Sequence, residues 1–235
     1  MAQHGYQQYC ALARALDITG ERWTLLLVRE LTPGPRRFTD LIDGLPGIPR
    51  KLLTDRLRAL ERDGIITRQE LPPPAARQVY ALTDDGRDLA VAMAPLIAWG
   101  ARRIGDRKPG ERFRARWPAV AMAGLADREA AKGVSESYQY LVGDSTFYFA
   151  VDDGSIEVHD GQAQHPAVTV TTDEETWANV VSGKITASSA AATGALTVAG
   201  DAEAAKRLRK IFSREPMLAQ AQDTSHPDAC ARELA

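Results

Sequence analysis

Residues 36–66, RRFTDLIDGLPGIPRKLLTDRLRALERDGII, predict two short helices joined by a tight turn. The first covers residues 38–43 and ends where the glycines and prolines of GLPGIP interrupt it. The second begins near Pro49, because proline suits the first turn of a helix, where its missing N–H would have no partner. The stretch therefore predicts two helices that meet at a sharp angle.

The second of these helices has an apolar side and a basic side. Leu53, Leu57 and Leu60 follow one another at spacings of four and three, which places them in one stripe. The opposite side carries Lys51, Thr54, Asp55, Arg58 and Arg62. A sharp turn before a helix with an apolar back and a basic front is the layout of a helix-turn-helix, whose second helix lies in the DNA major groove. The alternative is an ordinary amphipathic helix with a solvated charged face.

The following segments extend this motif. Residues 65–71 and 77–82, rich in β-branched and aromatic residues, predict two strands around the stiff tip PPPAA. A hairpin directly after such a helix is a wing that lies beside the groove. Thr83 predicts the N-cap of a further helix, with two aspartates in its first turn, which runs to about residue 104. Its long apolar side needs a partner. The first helix of the same chain could supply it, but we expect a second copy of the chain to do so.

Two helices are predicted before the motif, over residues 6–16 and 22–31, with Gly20 between them. Each has one apolar face, and we expect the face of the second helix to contribute to a core. The two faces comprise Tyr9, Leu12, Ala13 and Leu16 in the first helix and Trp23, Leu26, Leu27 and Leu31 in the second.

Several segments of this half, in order, resemble the HxlR family of bacterial winged helix-turn-helix transcription regulators, relatives of MarR. They are CALARALDITGERWTLLLVREL, PGPRRFTDLIDGLPGIPRKLLTDRLRALERDGII and VYALTDDGRDL, and the resemblance covers residues 9–104. It implies a homodimer that binds a two-fold site on double-stranded DNA. Pro49 departs from the family pattern, in which a serine-like helix cap is common.

The second half has a different pattern. Residues 105–116 predict a charged linker, and a helix is expected over 118–132. Four strands with two-residue periodicity follow at 138–142, 146–151, 155–159 and 167–172, with hairpin turns predicted at Gly143-Asp144 and Asp152-Asp153-Gly154. A helix capped by Asp173 is expected to about residue 182, a second helix at 186–192, a strand at 196–198 and a helix that Asp201 starts to residue 212. Strands followed by helices predict an α+β domain with an antiparallel sheet and helices on one face.

Two segments of this half, VTVTTDEETWANVVSGKI and TGALTVAGDAEAAKRLRKIF, are similar to a sterol carrier protein type domain over residues 117–212. The resemblance implies that apolar ligands bind between sheet and helices. The predicted fold is thus a mainly α winged helix-turn-helix domain (1–104), the linker (105–116) and an α+β domain of sterol carrier type (117–213). Residues 214–235 are polar and alanine-rich, and we expect a disordered tail.

Overall composition neither supports nor excludes nucleic-acid binding, since the net charge of the 235 residues is −2. The halves differ, however: residues 1–108 hold 17 basic and 13 acidic side chains, and residues 109–235 hold 12 and 18. This asymmetry favours a first half that faces phosphate. No apolar run approaches the roughly 20 residues of a membrane span, and no secretory signal is recognisable. We therefore expect a cytoplasmic protein without a membrane partner.

The predicted DNA-binding residues are cationic or hydrogen-bonding side chains of the motif and the wing. Lysine and arginine neutralise phosphates, and arginine and threonine can also contact base edges. The set is Arg36, Arg37, Arg50, Lys51, Thr54, Arg58 and Arg77.

Cys10 is a candidate redox thiol. Some regulators that resemble this chain carry a peroxide- or quinone-sensing cysteine at the corresponding position, and a location near a helix N-terminus can favour the thiolate. The alternative is a small buried residue at the dimer interface. The other cysteine, Cys230, lies in the predicted tail, so a Cys10–Cys10 bridge across a dimer is the disulfide to consider.

Five aromatic side chains are candidates for lining an apolar ligand pocket, although each fits plain core packing equally well. They are Tyr140, Phe147, Phe149, Trp177 and Phe212. The four histidines show no metal-ligand spacing, and no phosphate loop, nucleophile elbow or paired catalytic carboxylates stand out. The sequence therefore predicts no enzyme, no cofactor and no metal site.

Three functional hypotheses remain. The first is a sequence-specific, DNA-binding transcriptional regulator controlled by a small apolar effector in the C-terminal domain. The second is a regulator that senses oxidants through Cys10. The third is a lipid carrier or accessory protein that uses the winged domain only for dimerisation.

Overall fold

The computed structural model describes residues 5–70, 78–101, 103–105 and 107–213. The first half contains α1 (Ala11–Thr19), α2 (Thr24–Leu31), α3 (Phe38–Gly44), α4 (Arg50–Arg62), β1 (Ile66–Glu70), β2 (Gln78–Leu82), α5 (Asp84–Ala92) and α6 (Ala94–Ala101). The second half contains α7 (Arg116–Leu125), β3 (Ser135–Val142), β4 (Ser145–Asp152), β5 (Ser155–Asp160), β6 (Val168–Thr172), α8 (Glu174–Ser182), α9 (Ala187–Ala192), β7 (Leu196–Gly200) and α10 (Ala202–Ile211).

The first half has the predicted winged helix-turn-helix architecture. Helix α4 begins after its N-cap residue, Pro49, and buries the stripe of Leu53, Leu57 and Leu60 in the core. Strands β1 and β2 form the antiparallel wing, and the Thr83 side chain caps α5 by accepting a hydrogen bond from the Gly86 N–H. These local signals were strong because apolar period, proline position and cap chemistry agree.

The two N-terminal helices differ from the prediction. Helix α1 begins only at Ala11, and of its apolar face only Ala13 is buried, while Tyr9, Leu12 and Leu16 are exposed. Helix α2 begins at Thr24, because Trp23 adopts a left-handed backbone conformation with φ of 80°. Leu27 and Leu31 of α2 are buried as predicted, but Leu26 is 40% exposed, so the face of α2 is covered only in part.

Two other helices end earlier than predicted. The helix expected to run to residue 104 is divided at Met93 into α5 and α6, since Pro95 in the first turn of α6 cannot donate a backbone hydrogen bond. Helix α7 ends at Leu125 rather than at residue 132. Just after this end, the Asp127 N–H donates to the Ile211 carbonyl, and the Asp127 side chain accepts from the Ala130 N–H.

The C-terminal sheet has the strand order β5-β4-β3-β6-β7. The α+β class is confirmed, but the sheet is mixed rather than wholly antiparallel, because β3 and β6 run parallel. The sequence missed this because β6 follows β5 in the chain yet joins the sheet on its other side, next to β3. The hairpin turns at Gly143-Asp144 and Asp153-Gly154 lie where they were predicted, and both residues of the second have positive φ.

One face of this sheet packs against the helices. Alternate residues of the strands point into this core together with side chains from α7, α8, α9 and α10. Asp173, Thr186 and Asp201 cap the last three of these helices through their side-chain oxygens. Across the described segments, no helix has the length and apolar character needed to cross a bilayer.

Candidate functional site

Helix α4 presents Lys51 and Arg58 on the side opposite its leucine stripe, and Arg50 is its first residue. Arg50, Lys51 and Arg58 are exposed, and none of them forms an ion pair with another residue in the described part of the chain. Other cations of this helix are already paired, as when Arg56 binds Glu21 at 2.5 Å. The three unpaired charges remain available for phosphates or base edges.

Two further members of the predicted set lie near this surface without a defined role. The Thr54 hydroxyl donates to the Arg50 carbonyl at 3.0 Å, so in this conformation it serves the helix backbone. Arg37 is half-buried at the start of α3, where its backbone N–H donates to the Asp40 carboxylate. Arg77 lies outside the described residues.

Arg36 does not belong to the DNA-facing set. Its side chain is only 14% exposed, its Nε donates to the Glu30 carbonyl at 3.1 Å, and its guanidinium forms an ion pair with Asp160 at the end of β5. Burial is the largest influence on this guanidinium and lowers its pKa, whereas the charge of Asp160 acts to raise the pKa. The prediction was wrong because sequence position alone could not show that Arg36 turns toward the C-terminal domain.

A buried carboxylate, unrecognised from the sequence, lies at the junction of the two domains. Glu30 on α2 is 1% exposed, and its oxygens accept from Arg29 at 2.9 Å, Arg116 at 2.7 Å and the Trp117 indole N–H at 2.6 Å. The Arg29 guanidinium also lies 4.1 Å from the centre of the Trp117 ring. The available signal was an acid in the otherwise apolar segment TLLLVREL.

The ionisation of Glu30 depends on these partners. Burial raises its pKa, but the hydrogen bonds and charges of Arg116 and Arg29 and the Trp117 N–H together outweigh burial and hold the pKa below the ordinary value of 4.5. The carboxylate is therefore charged at neutral pH and compensates two arginines at the junction.

Further contacts hold the domains together beside this network. The Asp160 N–H donates to the Pro33 carbonyl at 3.2 Å, and the Arg114 side chain donates to the Asp43 carbonyl. Helices α6 and α7 pack so closely that a Cβ on Gly124 would lie 2.6 Å from the Cβ of Ala94. The helix-turn-helix domain and the C-terminal domain are thus in direct contact on several sides.

A cavity of about 570 Å³ opens at this junction. Its lining comes from both domains, as apolar side chains with a few charged groups. The residues are Leu31, Thr32, Gly34, Pro35, Gln69, Ala81, Leu82, Arg87, Ala90 and Val91 from the first domain, and Val120, Ala123, Gly124, Arg128, Ser155, Ile156, Glu157, Val158 and His159 from the second.

The five aromatic pocket candidates meet one another beneath the sheet, away from this cavity. Tyr140 and Phe147 stack at 5.2 Å between ring centres, Trp177 lies 5.4 Å from Tyr140, and Phe149 and Phe212 lie 4.5 Å apart. Four of the five are buried and Phe212 is partly buried. The arrangement is that of a packed core, and a ligand role for these rings stays a prediction.

The Cys10 thiol is exposed at the N-cap position of α1. It is accessible to small reagents, and the exposed Tyr9 and Leu12 flank it in the sequence. Within the described residues, no group of three or more histidine, cysteine, aspartate or glutamate side chains could hold a metal ion.

The sequence similarities agree with this architecture. Residues 18–108 match the model of the HxlR-like helix-turn-helix family. The chain is 34% identical over 91 residues to the HTH-type transcriptional regulator YvaP of Bacillus subtilis, and this match covers 39% of the chain and 84% of YvaP. The chain belongs to the HxlR-like helix-turn-helix family. This HxlR-like protein carries a second domain in addition, because residues 121–213 match the SCP-2 sterol transfer family.

Other HxlR-like relatives match the first domain. An HTH-type transcriptional regulator of Mycobacterium tuberculosis is 46% identical over 90 residues, which is 38% of this chain; the chain spans little more than half, 56%, of that relative. The solved reduced form of the regulator YodB from B. subtilis is 31% identical and matches 44% of this chain and 100% of its own, with a TM-score of 0.37. Both resemblances inferred from the sequence, HxlR and sterol carrier type, are confirmed.

Proposed function

We propose that the protein is a sequence-specific, DNA-binding transcriptional regulator that acts as a homodimer. The observation that carries this proposal is the set of exposed, unpaired cations on α4, the helix that precedes the wing. Lys51 and Arg58 lie opposite the buried leucine stripe, and Arg50 lies at the start of the helix. The relatives that match this domain are named as transcriptional regulators. A gel shift with the protein's own upstream region, repeated over a salt series, tests it.

Arg58→Ala should weaken binding to a specific site by roughly 1–3 kcal/mol if the guanidinium contacts a base, and by less if it contacts only phosphate. A reduced salt slope with equal losses on all sequences would indicate the phosphate contact. Arg209→Ala, an exposed arginine on α10 of the other domain, is the matched control and should leave DNA affinity unchanged. If both variants and wild type bound DNA with equal affinity, the DNA would contact a surface that does not include Arg58.

The homodimer is supported by the uncovered apolar side chains of α1 and α6. These large hydrophobic residues are all exposed in the single chain: Tyr9, Leu12, Leu16, Leu96, Trp99 and Ile104. Single exposed hydrophobic residues are ordinary, but several large ones in and beside two helices of one domain indicate a surface that another protein covers. The break between α5 and α6 does not remove this surface.

Leu96→Asp should shift the protein from dimer to the 25.6 kDa monomer in sedimentation analysis, because a charge at a dimer interface is left unpaired and desolvated. Leu96 is 51% exposed in one chain, so the folded monomer should tolerate the change. Val198→Asp places the same charge on a valine that is 49% exposed in the C-terminal domain, and should leave the mass unchanged. A wild-type monomer would refute the proposal.

We further propose that the C-terminal domain binds a small apolar effector that changes DNA affinity. The match of residues 121–213 to the SCP-2 sterol transfer family supports a ligand-binding role for this domain. The direct contacts between the domains, through Glu30, Arg36 and Gly124, offer a physical connection to the helix-turn-helix. A lipid carrier that uses the winged domain only for dimerisation would instead bind ligand without forming any specific DNA complex.

Oxidant sensing through Cys10 is the second candidate function, because the thiol is exposed beside the apolar residues of α1. If it operates, diamide should release wild-type protein from DNA in a gel shift and leave Cys10→Ser bound. A disulfide between the two Cys10 thiols of a dimer would then appear on a non-reducing gel. Identical release of wild type and Cys10→Ser would dispose of this candidate.

A further inference from the structure

The cavity at the domain junction has walls that neither domain could form alone. Loop residues 32–35, helix α5 and the wing form one side, and α7 with β5 forms the other. Its volume of about 570 Å³ lies within the roughly 300–1,000 Å³ that is usual for small-molecule sites, which often lie between domains. This cavity is separate from the packed aromatic core beneath the sheet.

The lining has apolar walls and cationic side chains. Leu31, Ala90 and Val120 are among the apolar side chains on its walls. Arg128 is exposed and forms no ion pair with any described residue, so its guanidinium is available to bind an anionic group. Arg87 donates to the Leu82 carbonyl at 3.1 Å and pairs with Asp84.

Two further ionisable groups of the lining, Glu157 and His159, contact each other. The Glu157 carboxylate faces His159, whose Nε2 lies 3.1 Å away. The His159 ring also stacks on Tyr148, with 5.1 Å between the ring centres. With Glu157 engaged in this way, Arg128 is the charged group of the lining without a protein partner in the described part of the chain, and a carboxylate matches its fork of donors.

We propose that this interdomain cavity binds an amphipathic organic acid, with the apolar body between α5 and α7 and the carboxylate on Arg128. This inference refines the proposed function, on which its regulatory part rests, by placing the effector between the domains rather than beneath the sheet. The ligand is therefore an acid with an apolar chain or ring, not a neutral sterol-like molecule.

The position of the cavity explains how occupancy would reach the DNA-binding surface. Loop residues 32–35, which line it, lead directly into Arg36, whose backbone pairs with Tyr80 of the wing and whose side chain binds Asp160. Helix α3 begins two residues later at Phe38. A ligand that moves this loop changes the position of α3 and the wing relative to the C-terminal domain. By linkage, DNA must then change the affinity for the acid by the same factor.

The test uses full-length protein and isothermal titration calorimetry, with decanoate as the acid and decanol as its uncharged counterpart. Decanoate should bind more tightly than decanol, and Arg128→Met should weaken decanoate about tenfold, the effect of losing one charge-assisted hydrogen bond, without weakening decanol. Arg209→Met, another exposed arginine, should bind decanoate as wild type does.

Two valines of equal exposure separate the competing locations. Val91 is 50% exposed and lines the cavity, whereas Val198 is 49% exposed on β7, at the opposite edge of the sheet from β5. Val91→Trp should narrow the cavity and weaken the binding of decanoate, and Val198→Trp should leave binding intact. Decanoate should also shift DNA affinity in wild type but not in Val91→Trp.

Three results would overturn the inference: no decanoate binding, binding unchanged in both Arg128→Met and Val91→Trp, or binding lost only in Val198→Trp, which would place the acid beneath the sheet. The calorimetry needs no DNA, so it can succeed when the gel shift fails. In that case the site stands and the proposed regulatory function is wrong.

Discussion

Replacing Glu30 by alanine should destabilise the protein by roughly 3–5 kcal/mol, because removal of one partner leaves buried charge uncompensated. We expect the lower end of this range, since the arginines that it binds, Arg29 and Arg116, keep 17% and 20% of their side chains exposed. Urea denaturation followed by tryptophan fluorescence provides the measurement, as Trp117 is itself a partner of Glu30.

Two comparisons isolate the contribution of the junction. Glu21→Ala removes a carboxylate of the same domain whose partner is Arg56 but which is 61% exposed, and should cost at most about 1 kcal/mol. The double variant Glu30→Leu/Arg116→Leu should recover part of the loss, because only Arg29, and no longer both arginines, is then left without its carboxylate. Equal effects of Glu30→Ala and Glu21→Ala would show that the network contributes little.

The sign of the pH dependence follows from the lowered pKa of Glu30. Its contribution is complete above the unfolded value near 4.5 and is lost as the pH falls through the lower folded-state value. The difference in unfolding free energy between wild type and Glu30→Gln should therefore narrow below pH 4.5. A difference that widens on acidification would contradict a lowered pKa.

Phe149→Ala should destabilise the C-terminal domain by roughly 3–5 kcal/mol, because a fully buried ring is removed from contact with Tyr140, Phe147 and Phe212. The reason is the lost transfer free energy together with the cavity left in a close-packed core. Thermal or urea unfolding monitored in the near-ultraviolet measures it. This size of effect corresponds to a packed core, whereas a ring that lines an empty pocket has fewer contacts to lose.

The adjacent residue provides the control. Tyr148 on the same strand points to the other face of the sheet, is only partly buried, and stacks on His159. Tyr148→Ala should cost about 1 kcal/mol, since partial burial and one aromatic pair are lost. A small effect of Phe149→Ala, similar to that of Tyr148→Ala, would instead support a loosely filled pocket lined by the predicted aromatic residues.

The sequence by itself determined the elements whose signals are local. The leucine spacing of α4, the Pro49 start, the Thr83, Asp173 and Asp201 caps and the hairpin turns each depend on residues within a few positions of one another. Period, cap and turn chemistry agree at these places, so one conformation is favoured before any tertiary contact forms. Both family resemblances followed from the order of these elements.

Tertiary structure decided which faces are covered and which charges are used. An apolar stripe predicts burial but not the partner, so Leu26 was assigned to a core, yet it is 40% exposed in one chain. The parallel pairing of β3 with β6 joins segments separated by the intervening hairpin, and no local pattern specifies it. Arginine on a polar stretch looks the same whether it meets DNA, as predicted for Arg58, or a distant carboxylate, as Arg36 meets Asp160. The junction that contains Glu30 and the cavity exists only once the two domains are packed, because its groups are distant in the sequence, as Glu30 and Trp117 are, 87 residues apart.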